Sequence, residues 1–170
     1  MKAILRDNMH KHITSHFHRQ EDSGMIKVSV KDENAIAIAD RVYDWLWSEQ
    51  GLRTSTADIE IEVQEGAVAL NGRVRTQILR RQAERLARTS LNGWQLENNL
   101  IADDQVAMDL AARLAADPRT TSANVRFEVY LGVAYLSGIV QSEQQRTAAL
   151  ELTGLAPHVV KVEDRLVVAR

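Results

Sequence analysis

The sequence predicts an α+β protein made of two copies of one small αββαβ module. Three observations support this: an internal repeat, apolar residues at the spacings typical of strands and of helices, and glycines at matching positions of the two copies. Residues 59–103 align without a gap on residues 125–169, at an offset of 66. The matched positions are mostly glycines and apolar residues in the same phase, as a duplicated core requires.

Each copy contains a β-hairpin between its two helices. Ile59, Ile61 and Val63 alternate with polar residues, which is the period of a half-buried strand, and residues 125–129 repeat the pattern. Four structural glycines are expected, two at the turns and two on the inner faces of the returning strands: Gly66, Gly132, Gly72 and Gly138. A helix that passes closely over the sheet would explain the two on the inner faces.

Helical spacing predicts the remaining elements. Ile38, Val42, Trp45 and Leu46 form one stripe, which indicates that Trp45 belongs to the core and that Trp47 lies off it. The second helix of the first module is predicted over residues 77–90, and Asp117-Pro118 ends the first helix of the second module. The closing strands are predicted over residues 94–101 and 160–168.

We therefore predict three segments and a small three-stranded sheet in each module, with two helices on one face. Residues 1–30 form a histidine-rich, amphipathic and helical N-terminal segment. The first module is residues 31–103, and the second module is residues 104–170. A module of this size buries limited surface and is marginal alone, so the two modules are expected to pack together.

Composition and motifs exclude several classes of function. The chain has 45% hydrophobic and 26% charged residues, a net charge of −2 and no cysteine, so it reads as globular without disulfides. It lacks nucleophile-elbow, phosphate-loop and dinucleotide motifs, so we expect no catalytic residues and no cofactor. It shows neither the positive excess of a nucleic-acid binder nor an apolar run long enough for a transmembrane segment. The N-terminus lacks a signal-peptide pattern, so we expect a cytoplasmic protein, peripheral at the membrane if it binds lipid.

The N-terminal segment allows three interpretations. Leu5, Met9, Ile13 and Phe17 recur every four residues, as on a helix that covers the sheet or docks on a membrane or partner. On the same helix, His12 and His16 would share a face at the spacing of a weak divalent-metal site, and their titration could tune docking.

Residues 32–170 resemble tandem BON (bacterial OsmY and nodulation) domains. The first module carries AVALNGRV, a helix with inward alanine and leucine, and GWQLENNLIA; the second carries VAYLSGIV and HVVKVEDRLVVA. His158 stands where this family usually has glycine, and Trp94 replaces a smaller aliphatic residue. The resemblance implies an αββαβ fold and a non-catalytic role. Family members are associated with phospholipid attachment, envelope integrity, osmotic stress, chaperone activity and, in one group, potassium sensing.

Two surfaces are candidate sites. Five arginines of the first module are candidate lipid-binding residues, because guanidinium groups bind phosphates bidentately: Arg73, Arg75, Arg81, Arg85 and Arg88. The alternative is a solvated face that Glu84 partly neutralises. The outer face of the second sheet is a candidate interaction face, which we expect to meet the other module, the N-terminal segment or a second chain: Tyr130, Val133, Tyr135 and Ile139.

These surfaces favour a non-enzymatic protein that associates with anionic phospholipid in envelope or osmotic stress. Two alternatives remain open at this point. One is a chaperone-like or protein-interaction module, which could form a homo-oligomer, and the other is a module that responds to potassium or a divalent metal.

Overall fold

The computed structural model describes residues 15–17, 25–30, 33–54, 57–64 and 66–169. The elements, in chain order, are β1 (Ser15–Phe17), β2 (Met25–Val30), α1 (Glu33–Ser48), α2 (Gln50–Thr54), β3 (Asp58–Gln64), β4 (Ala67–Val74), α3 (Gln77–Ser90), β5 (Gln95–Ala102), α4 (Asp103–Ala116), β6 (Asn124–Tyr130), β7 (Val133–Val140), α5 (Glu143–Gly154) and β8 (Lys161–Val168).

The strands form two sheets, with orders β1-β2-β3-β4-β5 and β6-β7-β8. Both sheets contain the same motif. The antiparallel hairpin β3–β4 is extended by β5, which runs parallel to β4. The antiparallel hairpin β6–β7 is extended by β8, which runs parallel to β7. Helices α1 and α3 pack on the first sheet, and α4 and α5 on the second. The predicted α+β fold of two αββαβ modules is therefore confirmed.

The first sheet has two strands that the sequence reading did not predict. The described parts of residues 1–30 are extended rather than helical, because Ser15–Phe17 and Met25–Val30 form β1 and β2. β2 runs parallel to β3, with Ile26, Val28 and Val30 in register with its core residues. Ile26 and Val30 are buried in that core, so pairing with an apolar strand edge overrides the helical spacing seen upstream.

Helix α1 buries a face that is rotated from the predicted stripe. Ala39 and Tyr43 are buried together with Val42, so the centre of the buried face shifts towards Trp47. Trp47 packs on the core with its ring stacked 5.9 Å from that of Tyr43, whereas Trp45 is 45% exposed. The predicted roles of the two tryptophans are thus exchanged. Gly51 lies inside the short helix α2.

Corresponding residues begin the second helix of each module. The Thr76 side chain accepts a hydrogen bond from the Leu79 amide, and the Ser142 side chain accepts one from the Gln145 amide. These N-caps are 66 residues apart, so the repeat extends to the hydrogen bonds that start each helix.

The inner-face glycines avoid a neighbouring strand rather than a helix. Gly72 and Gly138 have φ angles of +108° and +127°. A Cβ atom at either position would lie 2.0 Å from a carbonyl oxygen on the paired strand, that of Asp58 or Asn124. The close approach is therefore between two strands of one sheet, and the predicted approach of a helix was wrong.

Candidate interaction surfaces

Three of the five candidate arginines lie along one exposed face of α3. Arg81, Arg85 and Arg88 line a shallow depression on this helix. Ile78, one turn before Arg81, is 69% exposed. We call Ile78, Arg81, Arg85 and Arg88 the α3 face. The opposite side of the helix buries Ala83, Leu86 and Ala87, so packing on the sheet fixes the direction of this face.

Glu84 neutralises only one of these arginines. Its carboxylate accepts a hydrogen bond from Asn98 on β5 at 3.0 Å and forms an ion pair with Arg88 at 2.9 Å. The bonds from Asn98 and Arg88 lower the pKa of Glu84, so this carboxylate stays charged in mild acid. No ion-pair partner for Arg81 or Arg85 occurs within the described ranges. These two guanidinium groups are therefore available to an external anion.

The other two candidate arginines lie at the junction of the modules. Arg73 Nη2 donates a hydrogen bond to the His158 carbonyl oxygen at 2.5 Å, and Nη1 lies 3.5 Å from Asp103 Oδ1. The guanidinium covers Gly132, where a Cβ atom would be 2.7 Å from Cζ. Arg75 Cζ stands 4.8 Å above the ring of Tyr130. The structure thus places Arg73 and Arg75 against the second module and apart from the α3 face.

Asp103 is the centre of this junction. Its side chain is 1% exposed and accepts hydrogen bonds from the amides of Leu131 and Gly132, at 2.8 and 3.4 Å. It also forms the ion pair with Arg73, so one carboxylate joins β4, the first turn of α4 and the β6–β7 turn. Its buried charge is compensated by two backbone donors of the second module and by the ion pair with Arg73 of the first.

Asp104 continues the junction on the side of the first module. Its carboxylate oxygens accept the Gln77 amide at 3.0 and 3.1 Å, at the N-terminus of α3. Its own amide donates to the Arg75 carbonyl. Sequence reasoning missed Asp103 and Asp104, because an acidic pair in the first turn of a helix reads as an ordinary favourable interaction with the helix dipole.

The outer face of the second sheet carries the predicted aromatic and aliphatic residues. Tyr130 is partly covered by Arg75 of the first module, so this part of the face meets the other module. Arg165 stands 4.7 Å above the ring of Tyr135. Ile139 and Val167 are 52% and 62% exposed and adjacent in register across β7 and β8. Val167 was not predicted as part of this face, although alternation along β8 places it beside Ile139.

The predicted histidine pair lies only partly within the described residues. His16 lies on β1 rather than on a helix, and His12 falls outside the described residues. The described residues contain no cluster of three or more His, Cys, Asp or Glu side chains that could hold a metal ion. None of the described helices is long and apolar enough to cross a bilayer.

The repeat and the shared topology define a tandem αββαβ protein. The BON domain family matches the sequence twice, at residues 37–101 and 102–170. The chain therefore belongs to the BON-domain family, as the resemblance predicted. His158 adopts φ +66°, the left-handed conformation that favours the glycine usual at this position.

Solved structures share the fold at low sequence identity. The C-terminal domain of CdsD, the structural protein of the type III secretion system of Chlamydia trachomatis, is 14% identical with a TM-score of 0.58. The match covers 81% of this chain and 66% of that one, so this chain spans about two thirds of its length. A second CdsD structure is 19% identical with a TM-score of 0.53, covering 86% of this chain and 82% of that one. No curated protein matches the sequence.

Proposed function

We propose that this BON-domain protein is a non-enzymatic binding protein that attaches to anionic phospholipid through the α3 face, in envelope or osmotic stress. The observation that carries the proposal is the exposed row of Ile78, Arg81 and Arg85 on a helix whose other side is fixed in the core. An apolar residue beside unneutralised cations suits the boundary between headgroups and acyl chains.

The expected attachment is reversible and sensitive to salt. Each arginine near an anionic leaflet contributes about 1 kcal/mol, so a few arginines and one isoleucine give weak peripheral binding. Arg73 and Arg75 are held at the junction, so we assign them to positioning α3 through Asp104 and α4 rather than to lipid contact.

The test is co-sedimentation of the full chain with vesicles of phosphatidylglycerol and phosphatidylcholine. The double variant Arg81→Glu/Arg85→Glu is expected to bind at least about tenfold more weakly, because two favourable charges become repulsive. The control Arg113→Glu/Arg126→Glu makes the same change in net charge at exposed positions on α4 and β6. It is expected to lose much less binding, and 0.5 M salt should release the wild type.

Absence of wild-type binding at low salt would refute the lipid function. Equal losses in the two double variants would show that net charge alone attracts the chain, and would refute the assignment to α3.

A second candidate function is a protein-interaction module that uses the outer face of the second sheet. Exposed Ile139 and Val167 lie side by side there, next to the partly covered ring of Tyr135. The CdsD structures with the same fold are described as a structural protein of a secretion system, which supports protein contacts as an alternative. The variant Tyr135→Asp distinguishes the two functions. In the vesicle assay it should bind lipid as the wild type does. In sedimentation velocity it should lose any self-association that the wild type shows.

A further inference from the structure

The two modules differ at one sheet edge. By the offset of 66 residues, β6 of the second module corresponds to β3 of the first. β3 has neighbours on both sides, β4 and the parallel strand β2, whereas β6 pairs only with β7 within the described ranges. The other edge of β6 therefore has no strand partner among the described residues, although the Val129 carbonyl oxygen on this strand accepts a hydrogen bond from Arg75 Nη1 of the first module at 3.5 Å.

Side-chain burial shows what the additional strand does. The core residues of β3 (Ile59, Ile61 and Val63) are all 0% exposed, and β2 places Ile26, Val28 and Val30 beside them. Of the corresponding residues on β6, Val125 and Phe127 are only partly buried, whereas Val129 is 5% exposed. An added strand with apolar residues at alternate positions would cover them as β2 covers β3.

Charge indicates which strand fits. In the first sheet Lys27 holds the register position opposite Glu60. The position on β6 that corresponds to Glu60 is Arg126, which is exposed. A second copy of β2 would place Lys27 opposite Arg126, and like charges on neighbouring strands disfavour pairing. An acidic residue at that position of the incoming strand is favourable for the same reason.

We propose that this edge of β6, which has no strand partner among the described residues, binds an extended segment of another protein, running parallel to β6, with three alternating apolar residues and an acidic residue between the first two. The segment takes the place beside β6 that β2 takes beside β3. Main-chain hydrogen bonds supply binding, and Arg126 selects the acidic segment over β2 itself. This site does not depend on the α3 face, so it stands or falls separately from lipid attachment.

The test uses the isotope-labelled full chain and two synthetic peptides, GSMIEVSVSG and GSMIKVSVSG, which differ only at the central charge. We expect the glutamate peptide to shift the amide resonances of Asn124–Tyr130 and to bind roughly fivefold tighter than the lysine peptide. In the variant Arg126→Glu, which keeps the strand and reverses the charge, the lysine peptide should bind more tightly than the glutamate peptide. A peptide with proline in place of the central valine (GSMIEPSVSG) should not bind, because it loses a backbone donor.

Three results would overturn the proposal: no shifts at millimolar peptide, shifts confined to residues away from β6, or an order of affinity unchanged by Arg126→Glu. Shifts at β3 instead of β6 would count against it as well, because they would mean that the peptide displaces β2 instead of adding to β6.

Discussion

Gly72 and Gly138 hold corresponding places in the two hairpins, and strand pairing requires glycine at both. Each combines a positive φ with a carbonyl oxygen of the paired strand where a Cβ atom would stand. The sequence predicted these positions from the repeat, because a glycine at an inner-face position is exceptional. It could not predict the neighbour that excludes a side chain, since that depends on the local twist of the two strands.

Alanine at Gly138 should therefore destabilise the protein far more than alanine at another glycine of positive φ. Gly93 is the matched control, because its φ is +95° but no atom lies within 4 Å of the added Cβ. We expect Gly93→Ala to cost about 1–2 kcal/mol from backbone conformation alone, and Gly138→Ala about 3 kcal/mol or more. Urea unfolding followed by circular dichroism measures both, and equal losses would contradict the role of the close contact.

The candidate arginines illustrate what spacing can and cannot tell at this scale. Helical periodicity correctly separated Arg81, Arg85 and Arg88 from the buried side of α3. Arg73 and Arg75 belonged to the same arginine-rich stretch of sequence, yet they contact Asp103 and Tyr130 across the junction. Those partners lie about 30 and 55 residues away, so only the tertiary fold reveals the contacts.

Among the elements, β2 departs most from what the sequence suggested. Its six residues alternate in the manner of a strand, but the family resemblance began after them and the upstream spacing favoured a helix. Alternation of apolar and polar residues predicts both β3 and β6 well. It does not predict which additional strand pairs with the edge of a sheet, because that depends on which edges remain unpaired in the fold. A short segment before a module gives no local signal of that choice.

Truncation of a buried β2 side chain tests whether this strand is part of the core. Ile26 is 5% exposed and lies in register with Ile59, so Ile26→Ala removes packing from the first module. We expect a loss of about 2–4 kcal/mol in the free energy of unfolding. Tryptophan fluorescence reports it, because Trp45, Trp47 and Trp94 all lie in the first module.

Ile36→Ala on α1 is the control for this truncation, since Ile36 is 42% exposed and should change stability by well under 1 kcal/mol. If both variants were equally stable, β2 would contribute no core packing.

For the whole molecule, the decisive feature is that β5 ends at Ala102 and α4 begins at Asp103. The modules share this continuous segment, and Arg73, Asp103 and Asp104 connect them on either side of it. The sequence predicted two modules that pack together from the small size of each. It did not predict a buried carboxylate as the connection, because residue identity alone does not distinguish a buried aspartate from an exposed one at a helix start.

We expect the two modules to unfold in one transition, and Asp103→Ala to separate them. The substitution leaves the Leu131 amide without its acceptor and Arg73 without its ion-pair partner, at a cost of about 2–4 kcal/mol. Tryptophan fluorescence, which follows the first module, and amide resonances of β6 to β8 should give coincident urea midpoints in the wild type and different midpoints in the variant.

Asp109→Ala, an exposed position on the same helix, should keep the midpoints coincident. Separate midpoints already present in the wild type would mean that the junction does not couple the modules.

The unbroken passage from β5 into α4 also has a geometric consequence. Because no linker residue separates β5 from α4, a bilayer bound at α3 and a partner strand bound at β6 would be held at a fixed distance and orientation. If the chain binds both, it would act as a rigid spacer, and a few glycines inserted between Ala102 and Asp103 would make it a flexible tether.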